Sequence, residues 1–310
     1  MWKSVEQALS FPGALLLMPQ APVSLYYILS GIAVGIGYFG WLKLRQHIPK
    51  DQSLTQYLFP RHILMHPSAI FDYQYFFVSR IFWIFVAGIL FLQSPFIAEH
   101  TQSALTLLFG SRPHTPLQWW HIAIATCLYV IIYDLAYWYF HWLLHRIPWL
   151  WAIHKGHHAA EVLTPFTAVR AHPLEEIINA NFIAIGTGLF YGSYSYGFGT
   201  EPKTAEIWHV NILLLAYYIV FYNLRHSHIW LPITGRLGRI IQSPAHHQIH
   251  HSTSPEHIDK NFGFCLALWD WLFGTLYVPK QTESFTLGIG PQSAHYHKMI
   301  PFLLLPFQDI

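Results

Sequence analysis

The chain has 310 residues, of which 53% are hydrophobic and 10% are charged, whereas soluble globular proteins carry about 25% charged residues. With a mean hydropathy of +0.31, this composition excludes an ordinary soluble domain and indicates that lipid covers much of the surface. The net charge of +2 is too small to predict a nucleic-acid partner. Histidine is the outlier, with 22 residues, because membrane proteins usually avoid ionisable side chains.

Five apolar stretches are candidates for membrane-spanning helices, which need about 20 residues each. They cover residues 23–42, 81–97, 122–140, 177–196 and 207–221. The fourth is rich in Gly, Ser and Tyr and the fifth is short, so residues 177–221 form either two full crossings or one re-entrant hairpin. Because no internal repeat or low-complexity linker interrupts the chain, we predict a single membrane domain over 1–310. Residues 1–75 are its N-terminal region and contain the first transmembrane helix.

Lysine and arginine concentrate in alternate loops, which orients the chain because cytoplasmic loops are enriched in these residues. The segments after the first, third and fifth stretches each hold several, whereas the two intervening loops hold one each, Arg112 and Lys203. The pattern predicts about four to five transmembrane helices, an N-terminus outside and a C-terminus inside. It places all the histidine clusters on the cytoplasmic side.

Three histidine clusters carry the functional signal. They read His141-Trp-Leu-Leu-His145, His154-Lys-Gly-His157-His158 and His247-Gln-Ile-His250-His251. Residues three or four apart share a helix face, and adjacent residues diverge by about 100°, which suits two metal ions better than one. Two His-x-x-His-His motifs are rare by chance even at this histidine frequency, so we predict a dinuclear metal site. Imidazole suits Zn, Cu, Fe and Ni, so the spacing alone leaves the metal open.

Further motifs follow in a specific order. They are Arg170-Ala-His172-Pro173, Arg225-His226-Ser227-His228, Asp259-Lys260-Asn261-Phe262-Gly263 and Trp269-Asp270-x₂-Phe273-Gly274-Thr275. Together with the histidine clusters, this order resembles the membrane fatty acid hydroxylase superfamily, which includes sterol desaturases, fatty acid 2-hydroxylases and alkylglycerol monooxygenase. The resemblance runs from about Asp134 to Val278. It implies an all-α integral membrane protein whose catalytic region, residues 119–278, carries a cytoplasmic helical cap that holds the metals.

The resemblance also implies the site residues. Ten histidines are expected as metal ligands: His141, His145, His154, His157, His158, His172, His226, His247, His250 and His251. Four polar side chains are expected to support them from behind: Asp134, His246, Asp259 and Asn261. A carboxylate such as Asp134 is costly in a spanning helix unless it is paired, and orienting a histidine N–H is a common role at metal sites. Glu175 and Glu176 are interpreted instead as charges favoured at a helix N-terminus.

The chemistry implied by the resemblance is O₂ activation at a non-haem di-iron centre, followed by hydroxylation or desaturation of a membrane lipid. Because we see no cytochrome b5 segment in the sequence, electrons are expected from a separate transfer protein or reductant. Cleavage of glyceryl ethers with a reduced pterin, as in alkylglycerol monooxygenase, is an alternative, since Asp259-Lys260-Asn261 resembles that branch too. An alternative of another class is a membrane metal-binding protein without catalysis, which predicts histidines along a path through the spans.

Overall fold

A computed structural model describes residues 17–19, 21 and 23–308, with the backbone alone for 81–89. The first part of the predicted N-terminal region therefore lies outside the described residues. The described chain is mainly helical, in agreement with the predicted fold class, and its β-structure is limited to one short hairpin and two isolated bridges. The arrangement of the helices determines where the histidine clusters meet.

The first eight helices of the described residues cover most of the N-terminal two thirds of the chain. They are α1 (Leu25–Leu44), α2 (Leu54–Leu58), α3 (Arg61–Leu64), α4 (Pro67–Leu90), α5 (Ser94–Phe109), α6 (Trp119–Arg146), α7 (Pro148–His158) and α8 (Pro173–Phe198). A 3₁₀ turn, Pro165–Val169, separates α7 from α8. Proline occupies the first turn of α4, α5, α7 and α8, where its fixed φ favours helix initiation and its missing N–H costs nothing.

The rest of the chain forms the hairpin and shorter helices. Strands β1 (Glu206–Ile207) and β2 (Val210–Asn211) pair antiparallel. They are followed by α9 (Ile212–Arg225), α10 (Pro244–His250), α11 (Leu268–Phe273) and α12 (Met299–Leu304). Helix α9 passes through a π turn at Tyr218–Tyr222. Because α10 to α12 are short, the second half of the chain covers the ends of the long helices rather than extending their bundle.

Two helices in the described part of the chain, α1 and α6, are long and apolar enough to cross a membrane. The predicted second span, 81–97, is not continuous, because α4 ends at Leu90 and α5 starts at Ser94. Pro95 cannot donate to a helical ladder. The Asn181 amide compensates for the break, because it accepts from the Leu92 N–H at 2.7 Å and donates to the Leu90 carbonyl at 3.1 Å.

The predicted fifth span, 207–221, is also wrong as a continuous helix. Its first residues form the hairpin, whose turn residues Trp208 and His209 have positive φ angles of 55° and 61°. Asn211 then caps α9 by accepting from the Leu213 N–H at 3.0 Å. The 14 residues of α9 extend about 21 Å, less than the roughly 30 Å of a bilayer core. The count of four to five crossings stays a prediction.

Hydrogen bonds between segments that are distant in sequence identify the two ends of the bundle. At one end, His228 Nε2 donates to the Tyr57 carbonyl at 2.7 Å, which joins the segments that follow α1 and α9. At the other end, the Tyr194 hydroxyl donates to the His121 carbonyl at 3.0 Å, which joins the last turns of α8 to the first turn of α6. The C-terminal ends of α1 and α9 therefore face one side of the molecule, and α6 and α8 run antiparallel.

Candidate metal centre

Nine histidines converge at the C-terminal end of α6, where they form two adjacent groups. The first histidine group contains five residues, His141, His145, His154, His158 and His250, and the second contains four, His157, His226, His247 and His251. Within each group the candidate ligand atoms all lie within 4.8 Å of one another. The rings of His158 and His251, one from each group, are 4.8 Å apart between centroids. The two groups are therefore in direct contact through these two rings.

Helical spacing explains why each cluster supplies more than one ring. His141 and His145 lie one turn apart on α6, and so do His154 and His158 on α7. His157 is adjacent to His158 in sequence and diverges from it by about 100°, so it points into the second group. His250 and His251 divide between the groups in the same way. The adjacent pairs are therefore the residues that divide the histidines between two groups.

The second histidine group has the geometry of a metal site. His226 Nε2 lies 2.8 Å from His247 Nε2, 3.3 Å from His251 Nε2 and 3.4 Å from His157 Nε2. Ligands at about 2.0–2.1 Å from a tetrahedral ion are separated by about 3.3 Å. The four nitrogens therefore fit around one ion with no change of fold.

The first histidine group fits a metal by a different observation. His158 Nε2 lies 3.1 Å from His154 Nε2. The Nε2 atoms of His145 and His250 are buried and have no hydrogen-bond partner among the described residues. Buried polar atoms are normally paired, and a metal ion at the centre of the group supplies the missing partner. Five imidazoles also exceed the four ligands of a structural zinc site.

Backbone carbonyls behind the rings orient three of the histidines. His141 Nδ1 donates to the Phe262 carbonyl at 2.9 Å, His250 Nδ1 to the Lys260 carbonyl at 2.8 Å, and His157 Nδ1 to the Arg170 carbonyl at 3.2 Å. A carbonyl can only accept, so Nδ1 carries the proton in each ring and Nε2 is left with a lone pair. Such bonds fix the tautomer that binds a metal.

Two carboxylates support the first group. Glu175 Oε1 lies 2.8 Å from His154 Nδ1, and both side chains are buried. Asp259 Oδ1 lies 3.4 Å from His145 Nδ1, and its second oxygen is 3.1 Å from Arg146. Asp259 therefore lies where the sequence predicted a supporting carboxylate. Sequence reasoning missed Glu175 as a histidine partner, although an acidic residue at the start of a long apolar helix was an available signal.

An arginine, rather than a carboxylate, supports the second group. Arg225 is buried, and its Nη2 donates to His247 Nδ1 at 2.9 Å. A guanidinium has no acceptor, so His247 Nδ1 carries no proton in this contact. The proton of the neutral ring is then on Nε2, which has to lose it before that nitrogen can bind a metal. The Arg225 guanidinium also lies 4.9 Å from the centroid of the Phe264 ring. The sequence motif contains Arg225, but its contact with His247 depends on α9 and α10 meeting in three dimensions.

Burial keeps the histidines outside α6 neutral. It lowers the pKa of His154 and of His250 to about 3 and lowers the pKa of His157 and His251 well below the usual value. Nearby histidines lower the pKa of His157 and His251 further. Neutral imidazole is the form that binds metals. At neutral pH these four rings are therefore already in the uncharged form that binds a metal.

The tenth predicted ligand, His172, is not brought into either group. Its Nδ1 accepts from the Leu174 N–H at 3.2 Å and caps α8, and its Nε2 donates to the Leu303 carbonyl at 3.2 Å. His66 caps α4 in the same way before Pro67, since its Nδ1 accepts from the Ser68 N–H. The His-Pro pair therefore has a local structural role at both positions.

Three predicted supporting residues act on the backbone. Asp134 Oδ1 accepts from the N–H groups of Cys265 and Leu266 at 2.6 and 3.1 Å. His246 is hydrogen-bonded to Ser243, and its Nε2 to the Gly238 carbonyl. Asn261, with a positive φ of 60°, bridges the carbonyls of His246 and Tyr277. None of these hydrogen bonds reaches a ring of the two groups.

The segment 261–266 nevertheless links these residues to the metal centre. Asp270 accepts hydrogen bonds from the Phe262 and Gly263 N–H groups at 2.9 Å and from Trp138 Nε1 at 3.0 Å. Held in this way, Phe262 directs its carbonyl at His141 and packs its ring 5.0 Å from that of His145. Asp134 and Asp270 thus hold the segment 261–266 in place, and the Phe262 carbonyl of that segment orients His141.

Two cavities flank the histidines. The inner cavity, of about 270 Å³, touches both groups and lies between α6, α8 and α9. The outer cavity, of about 410 Å³, lies against His145, His158, His250 and His251. The centre is therefore accessible from two separate directions, and the walls of the cavities differ: the inner one contains Phe140, Leu144, Phe264 and four tyrosines.

Comparison with known proteins identifies the relatives of this chain. The fatty acid hydroxylase family model matches residues 126–275. The alkylglycerol monooxygenase of Xenopus tropicalis is 28% identical over 169 residues, which are 54% of this chain and 32% of that protein. The alkylglycerol monooxygenase of Homo sapiens is 30% identical over 142 residues, 46% of this chain and 28% of its own length.

A third relative matches over more of its length. The putative Delta(7)-sterol-C5(6)-desaturase 2 of Arabidopsis thaliana is 25% identical over 269 residues, 84% of this chain and 80% of that protein. By contrast, the match covers about a third of the length of the alkylglycerol monooxygenases. No solved structure matches the chain at a significant level.

Proposed function

We propose that this chain, which belongs to the fatty acid hydroxylase family through residues 126–275, is a di-iron membrane oxygenase that hydroxylates or desaturates a lipid C–H bond. One observation carries the proposal: nine histidines form two adjacent groups whose candidate ligand nitrogens converge, and the protein contacts the other nitrogen of six of these rings. The nine are the proposed ligands. The matched relatives, which are named as a lipid monooxygenase and a sterol desaturase, support an oxidative reaction.

Iron is favoured by the donor set. Neither group contains a cysteine among the described residues, so the thiolate ligands typical of structural zinc are missing from both. Imidazole binds Fe as well as Zn and Cu, and five imidazoles provide more ligands than tetrahedral zinc accepts. When bound, two irons supply the activation of O₂ and the removal of hydrogen from an unactivated carbon. The reaction consumes two electrons and two protons and releases one water for each hydroxyl group formed.

The residues of this chain prepare that chemistry by binding and by excluding water. The inner cavity touches His141 and His154 of the first group and His157 and His226 of the second, so a lipid in it faces both metal sites. The rings of Phe140 and Phe264 and the side chain of Leu144 line the same space. An apolar wall favours a hydrocarbon segment over water and holds its C–H bonds beside the histidines.

The outer cavity suits the delivery of electrons. It touches His145, His158 and His250, none of which lines the inner cavity, and Asp259 lies on its wall. A separate reductant or transfer protein can therefore approach without displacing the lipid. Alkylglycerol monooxygenase activity with a reduced pterin is the second candidate function, because several alkylglycerol monooxygenases match the chain and this cavity has room for a small reductant.

We propose that the protein is multi-pass and that the metal centre faces the cytoplasm. The helices α1 and α6 are the candidate spans. The C-terminal turns of α1 and α6 hold Lys43 and Arg146, and the hydrogen bond between His228 and Tyr57 joins the segments after α1 and α9 at that same end. Basic residues mark the cytoplasmic side. A cysteine-accessibility scan of the exposed residues 112 and 236 tests the orientation, because they are expected on opposite sides.

Metal and product analysis tests the proposal directly. The purified protein in lipid nanodiscs is expected to contain two irons per chain by elemental analysis and, with ¹⁸O₂ and a reductant, to place ¹⁸O in a lipid product if it hydroxylates. A desaturase releases the label as water and leaves a product two hydrogens lighter. Two bound metals without turnover of any sterol, fatty acyl or ether lipid would support the non-catalytic alternative. Fewer than two metals per chain would overturn the dinuclear site.

A further inference from the structure

The lining of the inner cavity includes a set of charged and polar side chains, called here its polar end. Arg80 on α4 and Glu175, Glu176 and Asn179 on α8 line this end. Glu176 and Asn179 are three residues apart, which places them on the same face of α8. Arg80 Nη2 lies 3.9 Å from Glu176 Oε1, and the two side chains are 22% and 23% exposed. This pair therefore lies where the cavity approaches the protein surface.

Polar atoms at this end lack hydrogen-bond partners. Arg80 Nε, Asn179 Oδ1 and Glu175 Oε2 are all buried, and none has a hydrogen-bond partner within the described part of the chain. Arg80 Nε is a donor and Asn179 Oδ1 is an acceptor. Buried groups of this kind are normally paired. A ligand that both accepts and donates would satisfy the first two.

The charges around these atoms indicate whether the ligand group is neutral or anionic. A hydroxyl group can accept from a donor such as Arg80 Nε and can donate to an acceptor such as Asn179 Oδ1. A carboxylate or phosphate can only accept, and it would lie beside Glu176, where like charges repel. The Arg80 charge is already opposed by Glu176. The polar end therefore fits a neutral hydroxyl group better than an anion.

We propose that Arg80 and Asn179 bind the hydroxyl group of a neutral lipid, whose hydrocarbon then lies along the inner cavity toward both histidine groups. This inference rests on the proposed function, since it gives the lipid oxygenase a substrate class. Arg80 and Asn179 determine specificity and position, and the carbon presented to the histidines depends on its distance from the hydroxyl. Free fatty acids and phospholipids are excluded as preferred ligands.

The test measures binding separately from turnover. Full-length protein in nanodiscs binds radiolabelled 1-O-hexadecylglycerol or cholesterol, and each is compared with its own O-methylated form, which accepts but cannot donate. The wild type is expected to bind at least one free-hydroxyl lipid about tenfold more tightly than its methylated form. Hexadecanoate is expected to bind more weakly than that lipid.

The variants locate the interaction. Arg80→Met and Asn179→Leu are expected to bring the binding of the hydroxyl lipid down to that of its methylated form, whereas Arg80→Lys, which keeps a donor, retains part of the difference. A purely structural effect would weaken both lipids equally. Arg112→Met and Gln102→Leu, which change exposed residues away from the inner cavity, are the matched controls. Thermal unfolding and metal content show whether each variant is folded.

The outcomes separate this inference from the proposed function. If the wild type binds the methylated lipids as tightly as both free-hydroxyl lipids, or if folded Arg80→Met and Asn179→Leu proteins keep the difference, the inference is wrong even when the enzyme is active. If the wild type contains two irons yet oxidises no lipid, the proposed function fails. Discrimination that disappears in the folded cavity variants and remains in the controls supports the inference.

Discussion

The two histidine groups differ in what surrounds them, although both present buried imidazoles to a central point. The first group has five rings, two of which contact the carboxylates Glu175 and Asp259. The second group has four rings and contacts the guanidinium of Arg225. A carboxylate behind an imidazole raises its basicity as a ligand, whereas a cation lowers it. The comparison teaches that two sites built from one type of residue can be made inequivalent by their supporting residues.

The largest effect is expected from two separate variants, each of which lacks one proposed ligand of one group. His250→Ala is expected to lose the metal of the first group and His247→Ala that of the second, so each protein keeps one ion and loses its activity. Elemental analysis and Mössbauer spectra of ⁵⁷Fe-loaded protein measure the result. His295→Ala, which changes an exposed histidine, is the control. Identical spectra for the ions left in the two variants would show that the groups are equivalent after all.

Lowering the pH is expected to destabilise the metal-free protein, because both groups consist of buried, neutral histidines. Burial lowers the pKa of His154 and His250 to about 3, below the unfolded value of about 6.5. Between those values the unfolded chain binds more protons, so the stability of the metal-free protein falls as the pH drops below about 6.5. Each such histidine contributes about 1.4 kcal/mol per pH unit. Chemical unfolding of the metal-free protein at pH 7 and 5 measures this, and equal stability at both would contradict it.

Glu175→Gln is expected to weaken the first site selectively. The amide keeps the size of the side chain but replaces the carboxyl group that contacts His154, so the affinity for the first metal is expected to fall about 10- to 100-fold. Competition with a chelator measures the affinity of each site. Glu161→Gln, at a carboxylate that is 39% exposed and away from the two groups, should leave both affinities unchanged. An equal loss of metal affinity at both sites would show that Glu175 does not distinguish the two histidine groups.

Asp259→Asn is expected to have the smallest effect. Its carboxylate is 31% exposed and lies 3.4 Å from His145, so water screens the interaction. The affinity of the first site is expected to fall no more than about tenfold, and the second site should not change. The same chelator competition tests this. If Asp259→Asn lowers the metal affinity of the first site more than Glu175→Gln does, solvent exposure does not explain the relative importance of the two carboxyl groups.

The long helices show how far periodicity predicts structure and where it fails. Residues 23–42 and 122–140 are predicted as spans; all but the first two residues of the former lie within α1, and the latter lies within α6. The reason is that a long apolar run satisfies its backbone in lipid as a helix. Residues 81–97 are equally apolar but are divided, since the Asn181 amide satisfies the backbone groups at the break. A partner about 90 residues away cannot be read from the hydropathy of the segment.

The sequence by itself determined that histidines would pair on helix faces, because spacing of three and four residues is a local property of a helix. Its high hydrophobic and low charged fractions also indicated a membrane protein. Only the tertiary structure decided which ring joins which group, that His172 caps α8, and that Glu175 and Arg225 contact different groups. The physical reason is that hydrogen bonds and packing between distant segments depend on where helices meet, which local spacing does not encode.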